Sequence, residues 1–178
     1  MLSLINRMLE ISKTESGASS LRKTEFDLVA LVNRLAELFR MVTGQKRQVL
    51  EVAAPADPVR LFADQGKVRQ LLANLLDNAS KFTPSGGTVR VEITEQPDAV
   101  VLAVSDTGCG ISEEDREHVF KRFYRADSSR NLPGNGLGLS MVQAVAHAHG
   151  GRVELVSEPG KGSCFTVIFP RNPESADA

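Results

Sequence analysis

Apolar residues recur along this chain with two periods, near 3.6 and near 2, and the switches between them lay out its elements. Over residues 1–16, Leu2, Ile5, Met8, Leu9 and Ile11 fall at helical spacing, which predicts an amphipathic helix. It opens with no capping residue and is expected to be the end of a longer helix. The run SGASS at 16–20 reads as a linker. Asp27 is a natural N-cap for a helix whose apolar face holds Leu28, Leu31, Val32, Leu35, Phe39 and Val42 and which Gly44 can end. Residues 47–53 and 59–62 read as short strands, and a second helix is predicted from Asp64 to about Phe82, closed by Pro84 and Gly86-Gly87. Residues 88–94 and 99–105 alternate as a hairpin around Gln96-Pro97-Asp98. After them come a short helix beyond Ser112, a loop over 126–137 and a third long helix ending at Gly150-Gly151. Strands at 152–156 and 164–169 follow, and 172–178 is expected to fray. Helices interspersed with hairpin-linked strands predict an α+β sandwich, a mixed sheet with its helices on one face.

Composition narrows the class. At 178 residues, 42% hydrophobic and 24% charged, the chain suits one globular domain and excludes a disordered tail, a collagen-like rod and a disulfide miniprotein. Its net charge is −1, so no global field draws it to nucleic acid or membrane, and any anion site must be built locally. No Trp and a single Tyr make a poor platform for stacking bases, and no nucleic-acid partner is expected. Cys109 and Cys164 form no CxxC pair, which predicts a reducing compartment and no zinc site. No apolar run approaches about 18 residues, so this piece is expected to be soluble.

Three stretches carry candidate chemistry. On the second helix, Asn74, Asn78 and Lys81 share an arc of about 60° at the rim of the apolar face. Carboxamide oxygens are hard neutral ligands for Mg²⁺ and a lysine can reach a phosphate, although a solvated helix surface would also explain the pattern. A strand then delivers Asp106 to its end, where Gly108 and Gly110 let the chain turn; a carboxylate there can accept from an amino group, as can that of an ordinary turn. Third, Arg116, Lys121, Arg122, Arg125 and Arg130 against Glu117 and Asp127 leave three net positive charges just ahead of Gly134-Asn135-Gly136-Leu137-Gly138. Those glycines precede a helix whose first amides suit a phosphate. GxGxG after a loop is not the dinucleotide fingerprint, and the run before Gly160-Lys161 lacks the P-loop residues. His147 and His149 project about 160° apart on their helix and cannot share a metal; with His118 they are expected to pack or to face solvent.

Taken in order, these stretches resemble the catalytic, ATP-binding domain of bacterial sensor histidine kinases, of the GHKL ATPase/kinase superfamily. The N box is similar to NLLDNASKF at 74–82, the first glycine box to DTGCGI at 106–111, the phenylalanine box to VFKRFYR at 119–125 and the second glycine box to GNGLGL at 134–139. The closing GKGSCFTVIFP, 160–170, resembles the family's last strand pair. The resemblance covers about residues 25–170. It implies a two-layer sandwich with a mostly antiparallel sheet of about five strands and three main helices. It implies that the domain binds Mg-ATP and moves the γ-phosphoryl to a histidine on a dimerisation domain. Asn78 would be the Mg²⁺ ligand with Asn74 as second ligand or orienting group, and Lys81, Arg122 and Arg125 would meet phosphate oxygens. Phe82 would lie against adenine, Asp106 would accept its amino group, and Gly108, Gly110 and Ile111 would line the base pocket. Residues 126–138, with Gly134, Asn135, Gly136, Leu137, Gly138 and Leu139 at their end, would close as a lid on the triphosphate.

The resemblance further divides the chain into 1–16, the end of a phosphoacceptor hairpin, a linker at 17–24, the catalytic domain at 25–171 and a tail at 172–178. No HELRTPL-like acceptor motif occurs. The implied partners are therefore ATP or ADP, the phosphoacceptor domain and, through it, a response-regulator receiver domain. The implied location is the cytoplasm, whether or not the whole protein is membrane-anchored. Hydrolytic ATPases and serine kinases of the superfamily usually carry a glutamate base where this chain has Asn74, which cannot take a proton. A non-catalytic nucleotide-binding module is the remaining alternative.

Overall fold

The computed structural model describes residue 11, residues 21–126 and residues 134–171. The expected first helix and linker, residues 127–133 of the expected lid, and the tail at 172–178 lie outside the described residues, Ile11 excepted, which is helical and buried in the core. The elements are β1 (Thr24–Asp27), α1 (Leu28–Gln45), β2 (Val49–Ala53), β3 (Arg60–Ala63), α2 (Gln65–Phe82), β4 (Thr88–Glu95), β5 (Ala99–Asp106), α3 (Glu113–Arg116), α4 (Gly138–Ala148), β6 (Arg152–Glu158) and β7 (Gly162–Pro170). Five strands form one sheet in the order β2-β4-β5-β7-β6, parallel between β2 and β4 and antiparallel elsewhere. The expected α+β fold is present.

Both long helices begin as their capping residues dictate. The Asp27 carboxylate accepts from Val29 N at 2.9 Å and that of Asp64 accepts from Lys67 N at 3.1 Å, each satisfying an amide that has no partner within its helix. Strand alternation then builds the core in cross-strand rows, Val91–Val104–Phe165 and Ile93–Leu102–Val167, all buried. Leu71, Leu72, Leu75 and Leu76 of α2 pack into the same core with Val32 of α1 and Val142 and Val145 of α4. The row after Val91–Val104–Phe165 is Val89–Asp106–Ser163, so the alternation that buries Leu102 and Val104 also aims Asp106 to the helix side of the sheet.

Three expectations need correction. α1 runs through Gly44 to Gln45, and its last turn buries Thr43 while Val42 is 45% exposed; the Thr43 hydroxyl donates to Phe39 O at 3.1 Å and tolerates that burial. β1 was not expected: only Phe26 of its four residues is buried, and it exists by pairing antiparallel with β3 in a separate two-stranded sheet. β6 and β7 each run further toward their shared turn than periodicity predicts, because Glu158 pairs directly with Gly162.

His149 packs rather than facing solvent. It is buried at the end of α4; Nε2 accepts from Asp64 N at 3.0 Å, and Nδ1 contacts Val145 O at 2.7 Å. That pattern requires the neutral Nδ1–H tautomer and ties the end of α4 to the start of α2. Burial holds its pKa below the ordinary 6.5, opposed by the Val145 carbonyl. The stability it contributes is therefore complete above pH 6.5 and is lost as pH falls through the depressed folded value, because the unfolded chain binds the proton first. The urea midpoint should accordingly drop between pH 7 and pH 5, and His149→Gln, though less stable at neutral pH, should drop less. Parallel losses in the two proteins would contradict this role.

Candidate functional site

One cleft of about 630 Å³ opens between α2, the end of β5, and the residues flanking 127–133. From α2 it is lined by Asn74, Asn78, Lys81 and Phe82, all half-buried, as their place at the rim of the apolar face requires. Lys81 is paired with Asp77 one turn back. β5 contributes Asp106, whose Oδ1 accepts from Gly108 N at 2.8 Å across a tight turn. Burial pushes the Asp106 carboxyl above its usual pKa, while the N–H groups of Gly108 and Ser163 pull it down. Gly110 and Ile111 continue the wall, and Ile111 is anchored from β6 by its N–H donating to Ser157 Oγ at 2.8 Å.

The lining continues with Arg125 and Gly134, Asn135, Gly136, Leu137, Gly138 and Leu139, a stretch that lies against α2: a Cβ on Gly134 would stand 4.0 Å from Lys81 Nζ and one on Gly138 3.6 Å from Asn74 Oδ1. Arg125 Nη1 donates to Gly134 O at 3.0 Å and Phe123 N donates to Gly136 O at 2.8 Å, which staples the phenylalanine-rich turn to the glycine-rich one. α4 starts at Gly138 with no side-chain cap, so its first amides are open to an anion at this wall. The cleft thus brings the half-buried Asp106 carboxylate together with Lys81, Arg125 and a helix N-terminus, in a lining that also carries Asp77, Glu114 and Asp115.

Two residues expected at the site do not line it. Gly108 offers no side chain and is buried behind Asp106. Arg122 stands outside the lining, and Phe123, in the left-handed region at φ 62°, lies between it and Arg125. Sequence reasoning in turn missed Asp77, Asp115, Tyr124, Ser163 and Phe165. Asp77 had a signal, its spacing of four from Lys81; Ser163 and Phe165 arrive only through the register of β7 against β5. Cys109 lines the cleft and is exposed, His147 is exposed, and His118 is half-buried outside the cleft. Among the described residues no three His, Cys, Asp or Glu side chains gather as a metal site. The carboxamides of Asn74 and Asn78, beside Lys81, are hard neutral donors of the kind that suits Mg²⁺ held mainly by phosphates and water. No helix among the described residues is long and apolar enough to cross a membrane.

A family model described as histidine kinase-, DNA gyrase B-, and HSP90-like ATPase matches residues 63–173, which include all of α2, the glycine turns and α4. The chain is 38% identical over 176 residues to the circadian input-output histidine kinase CikA of Synechococcus elongatus, covering 96% of this chain and 23% of that protein. Among solved structures it is similar to full-length ShkA in complex with AMPPNP, with a TM-score of 0.84 and 30% identity over 97% of this chain and 37% of the other. It is also similar to the catalytic domain of histidine kinase ThkA, with a TM-score of 0.77 and 27% identity over 86% of this chain and 98% of the other. The chain spans about a quarter of the length of the curated relative first named.

Proposed function

The chain belongs to the histidine kinase-, DNA gyrase B- and HSP90-like ATPase family, and from that premise we propose that it is the ATP-binding catalytic domain of a two-component sensor histidine kinase. The observation that supports this reading is the lining of one cleft of about 630 Å³, which holds two sets of groups: Asp106 at a strand end, and Lys81, Arg125 and the uncapped start of α4. An adenine amino group fits the first and a phosphate chain fits the second. Asp106 accepts from adenine while Phe82, Gly110 and Ile111 hold its faces, with Gly108 shaping the turn behind. Lys81 and Arg125 meet phosphate oxygens, Arg122 adds positive charge from the adjacent turn, and residues 134–139 wrap the phosphates with backbone. Lys81 exchanges Asp77 for phosphate when nucleotide enters. Asn78, supported by Asn74, would hold Mg²⁺, which when bound supplies charge neutralisation on the phosphate oxygens.

Within this reading residues 25–171 are the catalytic domain, 1–16 belong to the phosphoacceptor hairpin, 17–24 link them, and 172–178 form a tail. The γ-phosphoryl leaves ADP for a histidine nitrogen on that hairpin domain, which loses its proton, and passes on to a cytoplasmic response-regulator receiver. Transfer needs an acceptor in line with the γ-phosphate. His149 is buried against Asp64, His147 is exposed at the far end of α4, and His118 packs on Tyr124, so none of the three offers that approach. Asn74 supplies no base, so hydrolysis is slow as well. The test is incubation with γ-labelled ATP. The chain alone should acquire no acid-labile label, and addition of the phosphoacceptor domain should produce label on that partner. Strong acid-labile label on the chain alone would overturn this division of labour.

A further inference from the structure

Tyr124 is the only tyrosine in the chain, and it is held from three sides. Its hydroxyl donates to Asp115 Oδ1 at 2.6 Å. Asp115 is itself fixed: Oδ2 accepts from the Ser112 hydroxyl at 2.7 Å, and its own N–H donates back to Ser112 Oγ at 3.1 Å. The His118 ring meets the Tyr124 ring edge-on, with centroids 5.4 Å apart. On its backbone side, Tyr124 lies against Gly136 so closely that a Cβ on that glycine would stand 2.7 Å from Tyr124 O. The neighbouring residues on either side make the two staples to the glycine-rich turn, Phe123 N to Gly136 O and Arg125 Nη1 to Gly134 O. Movement of the tyrosine therefore moves Arg125 and the turn at 134–136 together. Ile111, next to Ser112, has an anchor of its own, its N–H donating to Ser157 Oγ on β6, so the base side stays fixed if the tyrosine lets go.

We propose that the Tyr124–Asp115 hydrogen bond is a clasp that positions the phosphate-side wall of the cleft, so that Tyr124 governs affinity for the phosphate chain of the nucleotide and not for its adenosine part. The proposal rests on the adenine-nucleotide reading above. Tyr124 is here a positioning residue, acting through Arg125 and the backbone at 134–136. The bond has an acceptor of full charge: the Tyr124 hydroxyl, followed by the Ser112 hydroxyl, holds the Asp115 carboxyl below its usual pKa. Ordinary solution conditions therefore keep it a carboxylate.

The experiment titrates the wild-type chain and its Tyr124→Phe, Asp115→Asn and Asp115→Ala variants with adenosine and with a non-hydrolysable ATP analogue plus Mg²⁺. Tyr124→Phe should weaken the ATP analogue by about 3- to 10-fold, less than the full worth of a bond to a charged acceptor because the tyrosine acts on the nucleotide only through Arg125 and the turn, and leave adenosine within about twofold. Asp115→Asn keeps an acceptor oxygen and should recover part of that loss, whereas Asp115→Ala should match Tyr124→Phe. The double variant Tyr124→Phe/Asp115→Ala should be no worse than either single one. With no tryptophan present, tyrosine emission reports the bond directly: a carboxylate acceptor quenches it, so Asp115→Ala should be brighter than wild type. Equal losses for adenosine and the ATP analogue in Tyr124→Phe would overturn the clasp and leave a general packing role; no loss for either would overturn it outright. Failure of the wild-type chain to bind either ligand would instead overturn the adenine-nucleotide reading.

Discussion

Asp106→Ala is expected to weaken adenine nucleotides by about 10- to 100-fold, the equivalent of one charge-assisted hydrogen bond of about 1.5–3 kcal/mol. Asp106 ends β5 on the core side of the sheet, and its carboxyl is partly withdrawn from water, which raises its pKa and strengthens any bond it accepts there. The substitution should leave the fold intact. The strand pairing of residue 106 with Val89 and Ser163 is made by backbone, and the side chain adds only its interactions with the N–H groups of Gly108 and Ser163. Calorimetry with ADP reads the loss and circular dichroism checks the fold. A change below about twofold would remove Asp106 from the base site.

Gly162→Ala is expected to damage both stability and binding, whereas Gly160→Ala two residues away is expected to do neither to the same degree. Both glycines sit in the left-handed region, at φ 97° and 80°, so alanine is strained at each by about 1–2 kcal/mol. The difference lies in space. A Cβ at Gly160 meets nothing within 4 Å, while one at Gly162 would stand 1.9 Å from Asp106 O. Relieving that overlap costs roughly a further 1–3 kcal/mol and pushes β5 where it carries Asp106. The melting temperature of Gly162→Ala should fall by roughly 4–20 °C, and ADP affinity should fall with it. Gly160→Ala should lose a few degrees and keep its affinity. Equal behaviour of the two variants would show that the contact between the β6–β7 turn and β5 is unimportant.

Much of this organisation was legible in the sequence because local physics writes it there. Asp27 and Asp64 announce their helices through side-chain capping, which depends on neighbours only. The rim position of Asn74, Asn78 and Lys81 follows from helical period alone, and they do line the cleft. What was not legible depends on long-range register or on rare backbone states. Nothing near Phe165 or Ser163 points to a cleft; they arrive opposite Val104 and Asp106 through antiparallel pairing. β1 has too few apolar residues to be read as a strand until β3 is beside it. Arg122 and Arg125 look equivalent in a basic run, and nothing in that run marks the positive φ of Phe123 between them or which of the two lines the cleft. His149 carries no sequence mark of its partner, Asp64, 85 positions earlier.

On the proposed reading Asp106 reads the adenine amino group in the same cleft that takes the phosphates. Guanine presents a carbonyl at the corresponding edge, which a carboxylate repels, so base identity isolates the role of Asp106 better than affinity alone. The decisive measurement is calorimetric titration of the wild-type chain and Asp106→Ala with ATP and with GTP, each in the presence of Mg²⁺. Wild type should prefer ATP by about tenfold or more, the free energy of one charge-assisted hydrogen bond, and Asp106→Ala should lose most of that preference. Equal affinity of the wild-type chain for ATP and GTP would show that Asp106 does not read the base.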